Sequence, residues 1–279
     1  MNSPLRRALY RAVRSPQLII GLTLVSLFVL AALLGPALAP YSPTAQKMSQ
    51  RLRPPSAEYA LGTDDFGRDV LSRILHGAMP SLQVSVLSVA GSLIIGVVIG
   101  LIAGYRGGWL DTLLMSLMDV LLAFPAVLLA IAILAVLGTA LSNVILAIAI
   151  VNLPTFARLA RGSTLATREL LYVEAARGLG VPQVMILWRH ILPNIAAPLI
   201  VQTSLTIAAA ILIEASLSYL GLGIQPPAPS WGNILASTYG FIQTNPWPAV
   251  FAGIAIAIAV LGFNLLGDGL RDALDPTTR

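Results

Sequence analysis

Apolar residues come in long blocks along this chain, separated by short polar stretches. Leu18 to Ala39 carries no charge and is long enough to cross ~30 Å of hydrocarbon, which takes about 20 helical residues. Ser81 to Tyr105 is a second such run, and Thr112 to Leu137 a third. Val120 to Ala157 has no charge at all but is too long for one crossing, so Gly138-Thr139-Ala140 is placed as the turn into a fourth span. Asn194 to Leu220 supplies the fifth and Val250 to Leu266 the sixth. The pattern predicts an all-α polytopic membrane protein with six transmembrane helices.

Inside the spans, small and polar residues recur at helical spacing. Gly96, Gly100 and Gly104 form two overlapping G-x-x-x-G motifs, a device for close helix packing. Thr112, Ser116, Asp119, Ala123, Ala126 and Ala130 make a stripe on span three, and Thr203, Thr206, Ala210, Glu214 and Ser218 one on span five. Such faces turn toward protein or a water-filled path, so Ser116, Asp119, Thr203, Thr206 and Glu214 are candidate path-lining residues. The two carboxylates also admit structural readings, Asp119 snorkelling or pairing with Arg106, and Glu214 capping the outer end of span five.

The polar segments add a direction. Met1 to Pro16 is a basic arm with Arg6, Arg7, Arg11 and Arg14. Together with Ala37-Leu38-Ala39 it imitates a secretory signal, but the apolar run is too long and further spans follow, so an uncleaved first span is expected. Tyr41 to Ala78 is the longest non-membrane stretch, with Lys47, Arg51, Arg53, Arg68 and Arg73 against Glu58, Asp64, Asp65 and Asp69. Thr63 or Asp64 there is expected to cap a short solvated helix from Arg68 to His76. Gly221 to Ala249 reads as an uncharged Pro- and Gly-rich loop, with Trp231 and Trp247 suited to a membrane interface.

Composition agrees: 57% of residues are hydrophobic and 10% charged, against about 25% charged in soluble domains. The net charge of +5 comes from arginines beside the spans rather than on one basic face, which fits positive-inside topology and not nucleic acid. Arg106 and the group Arg158, Arg161, Arg168, Arg177 and Arg189 then lie in the cytoplasm with both termini, while the Gly138 and Gly221 to Ala249 loops lie outside. The basic residues of Tyr41 to Ala78 are the exception. There is no cysteine, which removes disulfides, thiol nucleophiles and thiolate metal sites. Nor is there a G-x-x-x-x-G-K-[ST] run to hold ATP, an H-E-x-x-H around His76 or His190, or a third glycine after Gly221-x-Gly223. No enzyme chemistry, metal site or cofactor is expected on this chain.

The connector after span four is a polar, helix-forming island. Leu170 to Arg177 favours helix, Gly178 and Gly180 are expected at positive φ, Pro182 can open a second helix and Pro193 is expected to break or kink it. Glu174-Ala175-Ala176-Arg177-Gly178-Leu179-Gly180, with Leu192-Pro193 downstream, resembles the EAA signature of ABC-importer permeases. His190-Ile191-Leu192-Pro193-Asn194, Leu61 to Asp69, Glu214 to Gly232 and Gly267 to Pro276 are similar to the C-type membrane subunits of the dipeptide/oligopeptide/nickel branch.

That resemblance implies a type I ABC-importer transmembrane domain with an extra N-terminal span, in a bacterial inner membrane. It divides the chain into 1–79 (arm, first span and extracytoplasmic segment), 80–270 (transmembrane domain, coupling loop 158–193) and a tail, 271–279. Glu174, Ala175, Ala176, Arg177, Gly178, Gly180 and Pro193 become the ATPase-coupling residues, with Ala175 and Ala176 admitting a partner backbone and Glu174 and Arg177 offering rim charge. The implied partners are a second homologous permease, one or two cytoplasmic ATPase subunits carrying ATP and Mg, an extracytoplasmic solute-binding protein and the lipid bilayer, with no nucleic acid. The implied solute is a di- or oligopeptide, a glutathione-like molecule or a nickel complex. The rival reading is a proton-coupled secondary carrier built on Asp119 and Glu214.

Overall fold

The computed structural model describes residues 15–274, so the basic arm and the last tail residues lie outside the described part. Its regular elements are helices: α1 Pro16–Leu38, α2 Val70–Arg106, α3 Gly108–Leu122, α4 Ala126–Leu137, α5 Leu141–Arg168, α6 Leu171–Gly178, α7 Gln183–Tyr219, α8 Trp231–Tyr239 and α9 Trp247–Leu274. Five of them, α1, α2, α5, α7 and α9, are long and apolar enough to cross a membrane singly.

Span three is not one straight helix. It is the pair α3 and α4, bent through 93°, because Pro125 has no N–H to continue the ladder of α3 and starts α4 from an extended conformation. The stripe from Ser116 to Ala130 is therefore split between two directions. α2 and α5 nevertheless run parallel, with Gly96 facing Phe156, Gly100 facing Ala160 and Gly104 facing Thr164. The bent pair between them must carry the chain back across the bundle, and it completes six crossings.

α2 is longer than the sequence reading. The short helix expected from Arg68 to His76 and the span from Ser81 are one 37-residue helix, capped by Asp69 rather than Thr63 or Asp64. The Asp69 carboxylate accepts the Ser72 N–H at 2.7 Å, which satisfies a free donor of the first turn. Position 79/80 falls inside this helix.

Gly96, Gly100 and Gly104 of α2 set a close contact with α5. A Cβ on Gly96 would stand 2.8 Å from the Phe156 Cβ, and one on Gly100 2.6 Å from the Ala160 Cβ. α1 closes the other flank, packing Gly21 on the backbone of α9 at Leu265 and Leu266, and Gly35 on α2 at Leu75. Two cores result. One joins α2, α4, α5 and α7 around Phe156, Ile148, Leu134 and Leu217, and the other gathers Phe28, Trp231, Ile211 and Phe263 from α1, α8, α7 and α9.

The stretch read as an uncharged loop contains α8. Ser230 caps it with a reciprocal capping box to Asn233. Trp231 is not interfacial: it is 3% exposed, its ring lies 5.0 Å from that of Phe28 at a tilt of 43°, and it donates Nε1–H to the Ile74 carbonyl at 3.0 Å. Trp247 is half exposed.

Candidate functional site

α6 is two turns long, with no side-chain cap at its N-terminus. Val173 and Ala176 are buried against the bundle, so Ala176 packs inward rather than offering room to a partner. The opposite face is open. Leu171 is 83% and Leu179 84% exposed, and Glu174, Ala175 and Arg177 are exposed beside them. Glu174 sits in the first turn and Arg177 in the last, the order that a helix dipole favours. The Arg177 guanidinium stands 5.4 Å from the centroid of the Tyr105 ring at the end of α2.

The helix ends in a Schellman motif: Gly180 N–H donates to the Arg177 carbonyl at 3.0 Å and Val181 N–H to the Ala176 carbonyl at 3.1 Å. Only Gly180 is at positive φ (+76°); Gly178 stays in the last helical turn. Nothing lies within 4 Å of a Cβ at Gly180, so the demand there is on the backbone alone. Pro182 is the cap that precedes α7 rather than its first residue.

Pro193 does not break α7. The helix absorbs it with a π-helical turn over Ile186–Ile191 and runs on to Tyr219. Side chains then satisfy the His190 carbonyl, Asn194 Nδ2 donating at 2.6 Å and the Tyr172 hydroxyl at 3.3 Å. Tyr172 thereby ties α6 to the π turn of α7. Sequence reasoning passed over Tyr172, because nothing in its spacing points to a carbonyl eighteen residues away. Glu174, Ala175, Arg177, Gly178 and Gly180 thus share one exposed end, while Pro193 lies behind it in a span.

The candidate path residues do not converge. Ser116 and Asp119 are exposed on α3, and Asp119 pairs with Arg158 rather than Arg106. One turn along α5, Arg161 holds Asp111 by two hydrogen bonds of 2.5 and 2.6 Å. Thr203 is half-buried, and Thr206 is buried beside Gln202. Glu214 is wholly buried, accepting from Ser81 at 3.1 Å and Ser218 at 2.7 Å. It ties α7 to α2 and does not cap the helix end. Arg158 lies level with Gly96 to Gly100 of α2, and Glu214 level with Ser81, a separation of roughly 25 Å at 1.5 Å per residue. The two carboxylates share no site.

The far end of α2 is built differently. Asp64 is buried, its Oδ2 held by Arg68 at 2.7 Å and Arg73 at 2.9 Å, and its Oδ1 by the Phe66 and Arg68 N–H groups at 2.9 Å. Arg73 reaches on to Asn233 Oδ1 at 3.3 Å. Asn245 Nδ2 donates to the Arg53 and Thr63 carbonyls, each at 3.3 Å. The expected solvated helix is instead a buried ion-pair network that joins the segment before α2 to α8 and the turn after it. Burial, and then the neighbouring Asp64 charge, push the Asp65 carboxyl above its ordinary value. Among the described residues no three His, Cys, Asp or Glu side chains gather as a metal site.

Residues 96–279 match the family described as binding-protein-dependent transport system inner membrane component. Over 98% of its length the chain is 48% identical to the dipeptide transport system permease protein DppC of Alkalihalophilus pseudofirmus, covering 90% of that protein. The chain belongs to this family of ABC transport permeases. Its residues 3–55 also match the N-terminal TM domain of oligopeptide transport permease C, and α1 lies in that part. The permease is 49% identical to the glutathione transport system permease protein GsiD of Pectobacterium atrosepticum, across 80% of this chain and 74% of that one. Its fold is that of the type I importers: it superposes on the MetNI methionine ABC transporter, in an inward-facing form, with TM-score 0.59 and 20% identity, covering 72% of this chain and 96% of that one. It is a multi-pass inner-membrane transport subunit rather than an enzyme.

Proposed function

We propose that this permease forms half of the translocation path of an ATP-driven importer for peptides or related small solutes. ATP and Mg sit on separate cytoplasmic ATPase subunits, a second homologous permease completes the path, and an extracytoplasmic binding protein delivers the solute. α6 docks on the ATPase, and closure of the ATPase pair moves α6 and α7 together through the Tyr172 link. Both termini and α6 face the cytoplasm. One observation supports this reading above the others: a short helix at one end of the bundle keeps Val173 and Ala176 inward and leaves Leu171 and Leu179 almost wholly exposed. Uncovered leucines of that size mark a surface awaiting a partner. The peptide class rests on the likeness to a dipeptide and a glutathione transport permease.

Reconstitution tests the assignment. Uptake of di- and oligopeptides by the assembled transporter should require ATP hydrolysis and persist when the proton gradient alone is collapsed. Uptake by the permease alone, driven by an imposed proton gradient, would replace this reading with a carrier. Orientation is read by single cysteines at exposed positions: Ala228→Cys should react with an impermeant reagent in intact cells, and Ala166→Cys should not. The reverse labelling would overturn the topology.

A further inference from the structure

α2 and α7 leave an apolar groove between them, with Thr203, one of the candidate path residues, in its lining. Leu93, Val97 and Val98 line it on α2, with Leu192 and Ile200 on α7. Past Val98 it continues between Leu101, Ile102 and Leu187. The two stretches enclose about 270 and 280 Å³ and share Val98 and Trp188. From Leu93 to Arg106 the groove follows α2 for ~20 Å at 1.5 Å per residue, more than the ~15 Å of hydrocarbon in one leaflet.

At Tyr105 and Arg106 the groove opens into a cleft of different chemistry, lined by Arg106, Arg168, Arg177, Glu169 and Gln183. Arg168 is engaged by Glu169 at 2.8 Å and by the Gly104 carbonyl at 2.7 Å. Arg177 lies over Tyr105. Arg106 is exposed and forms no ion pair among the described residues. Three guanidinium groups against one carboxylate leave the mouth with an excess of two positive charges.

We propose that this groove binds an anionic phospholipid, with an acyl chain between α2 and α7 and the phosphate at Arg106 and Arg177. The lining from Leu93 to Ile102 offers a hydrocarbon chain contact and asks it for no hydrogen bond. The guanidinium fork matches phosphate oxygens, and basic pockets beside spans recognise anionic headgroups. Trp188, exposed beside Val98 between the two apolar stretches, adds an aromatic face to the lining. A protein face over the groove would have to supply its own acid for Arg106, since a buried unpaired charge is costly. A phospholipid brings that charge with it.

The test uses the complete transporter, delipidated and titrated with phosphatidylglycerol or phosphatidylcholine, with bound lipid counted by native mass spectrometry. The wild type should retain phosphatidylglycerol preferentially. Arg106→Gln should cut that preference about fivefold, one basic residue's share of attraction to an anionic surface, and Val98→Trp, which fills the groove, should lower retention of both lipids. Unchanged retention in both variants overturns the proposal, as does displacement of the lipid by inorganic phosphate. In this cysteine-free chain, Val98→Cys carrying a photoreactive maleimide should form adducts with phospholipid in native membranes. Adducts with the second permease or the ATPase would make the groove a protein interface and end the lipid assignment.

Discussion

At one end of α2, Asp64, Arg68, Arg73 and Asn233 close on one another beneath a folded segment. At the other end, 37 residues along the same helix, α6 presents Leu171 and Leu179 to the surroundings and Glu174 without an ion pair among the described residues. The first end spends its charges inside the subunit: each carboxylate oxygen of Asp64 has two donors, and Arg73 bridges to α8. The second end leaves its charges and its largest apolar side chains unspent. A region that pairs its charges internally holds the subunit together, even though Asp65 Oδ1, Asp69 Oδ1 and Arg73 Nε keep no hydrogen-bond partner there, whereas one that leaves its charges free is shaped by something outside the chain. Substitutions at the two ends should therefore fail in different ways.

The largest effect is expected from Asp64→Ala. It strands Arg73 in a buried site and leaves Arg68 only its 3.6 Å contact with Asp65, and losing one partner of a buried pair typically costs about 3–5 kcal/mol. Thermal unfolding of the detergent-solubilised permease should show this as a clear loss of stability. An unchanged melting temperature would mean that the network is not what binds the segment before α2 to α8.

Gly180→Val comes next. With open space around the Cβ, the cost is that of holding a left-handed backbone, roughly 1–2 kcal/mol. The chain should still insert, while α6 leaves its Schellman geometry and ATPase association weakens. Wild-type association in a pull-down would show that the direction in which the chain leaves α6 does not matter.

Glu174→Ala should leave stability within about 0.5 kcal/mol of wild type, as exposed substitutions do. It should reduce solute-stimulated ATP turnover more than assembly, because an exposed rim charge contributes little affinity. Full stimulation would remove Glu174 from the coupling surface.

The smallest effect is at Asp65, where burial favours the protonated carboxyl. Its folded value is raised, so its contribution to stability is fully present below the ordinary carboxylate range and is lost as pH rises through the raised value. Asp65→Asn should abolish this part of the pH dependence and slightly raise the melting temperature at neutral pH. A lower melting temperature at neutral pH would mean that the 3.6 Å contact with Arg68 outweighs desolvation.

The two ends also differ in how far the sequence discloses them. α6 was legible, since helix formers followed by glycine describe a helix and its exit, and the EAA resemblance pointed to its use. Which of the two glycines carries positive φ was not, because that depends on which residue is last in the helix. The spans followed from apolar run length, but Pro125, visible in the middle of the third, marked the 93° bend that was read as continuous helix. At the other end, the adjacent acids Asp64 and Asp65 looked solvated because their partners are set by tertiary contacts: Asn233 is 160 residues from Arg73. The partner of Glu214 was hidden in the same way, Ser81 lying 133 residues away. α8 carried a local signal in Ser230 and Asn233, three residues apart ahead of an apolar pair, which the surrounding prolines and glycines hid.

The central claim, that the open face of α6 is the ATPase-docking surface, is tested most directly by Leu179→Asp. Leu179 touches solvent over most of its surface, so the substitution should leave the melting temperature of the isolated permease unchanged. Capture of the ATPase subunit from a defined mixture should fall to background. Capture at the wild-type level, with the chain folded and inserted, would contradict the claim and leave α6 as a connector between α5 and α7.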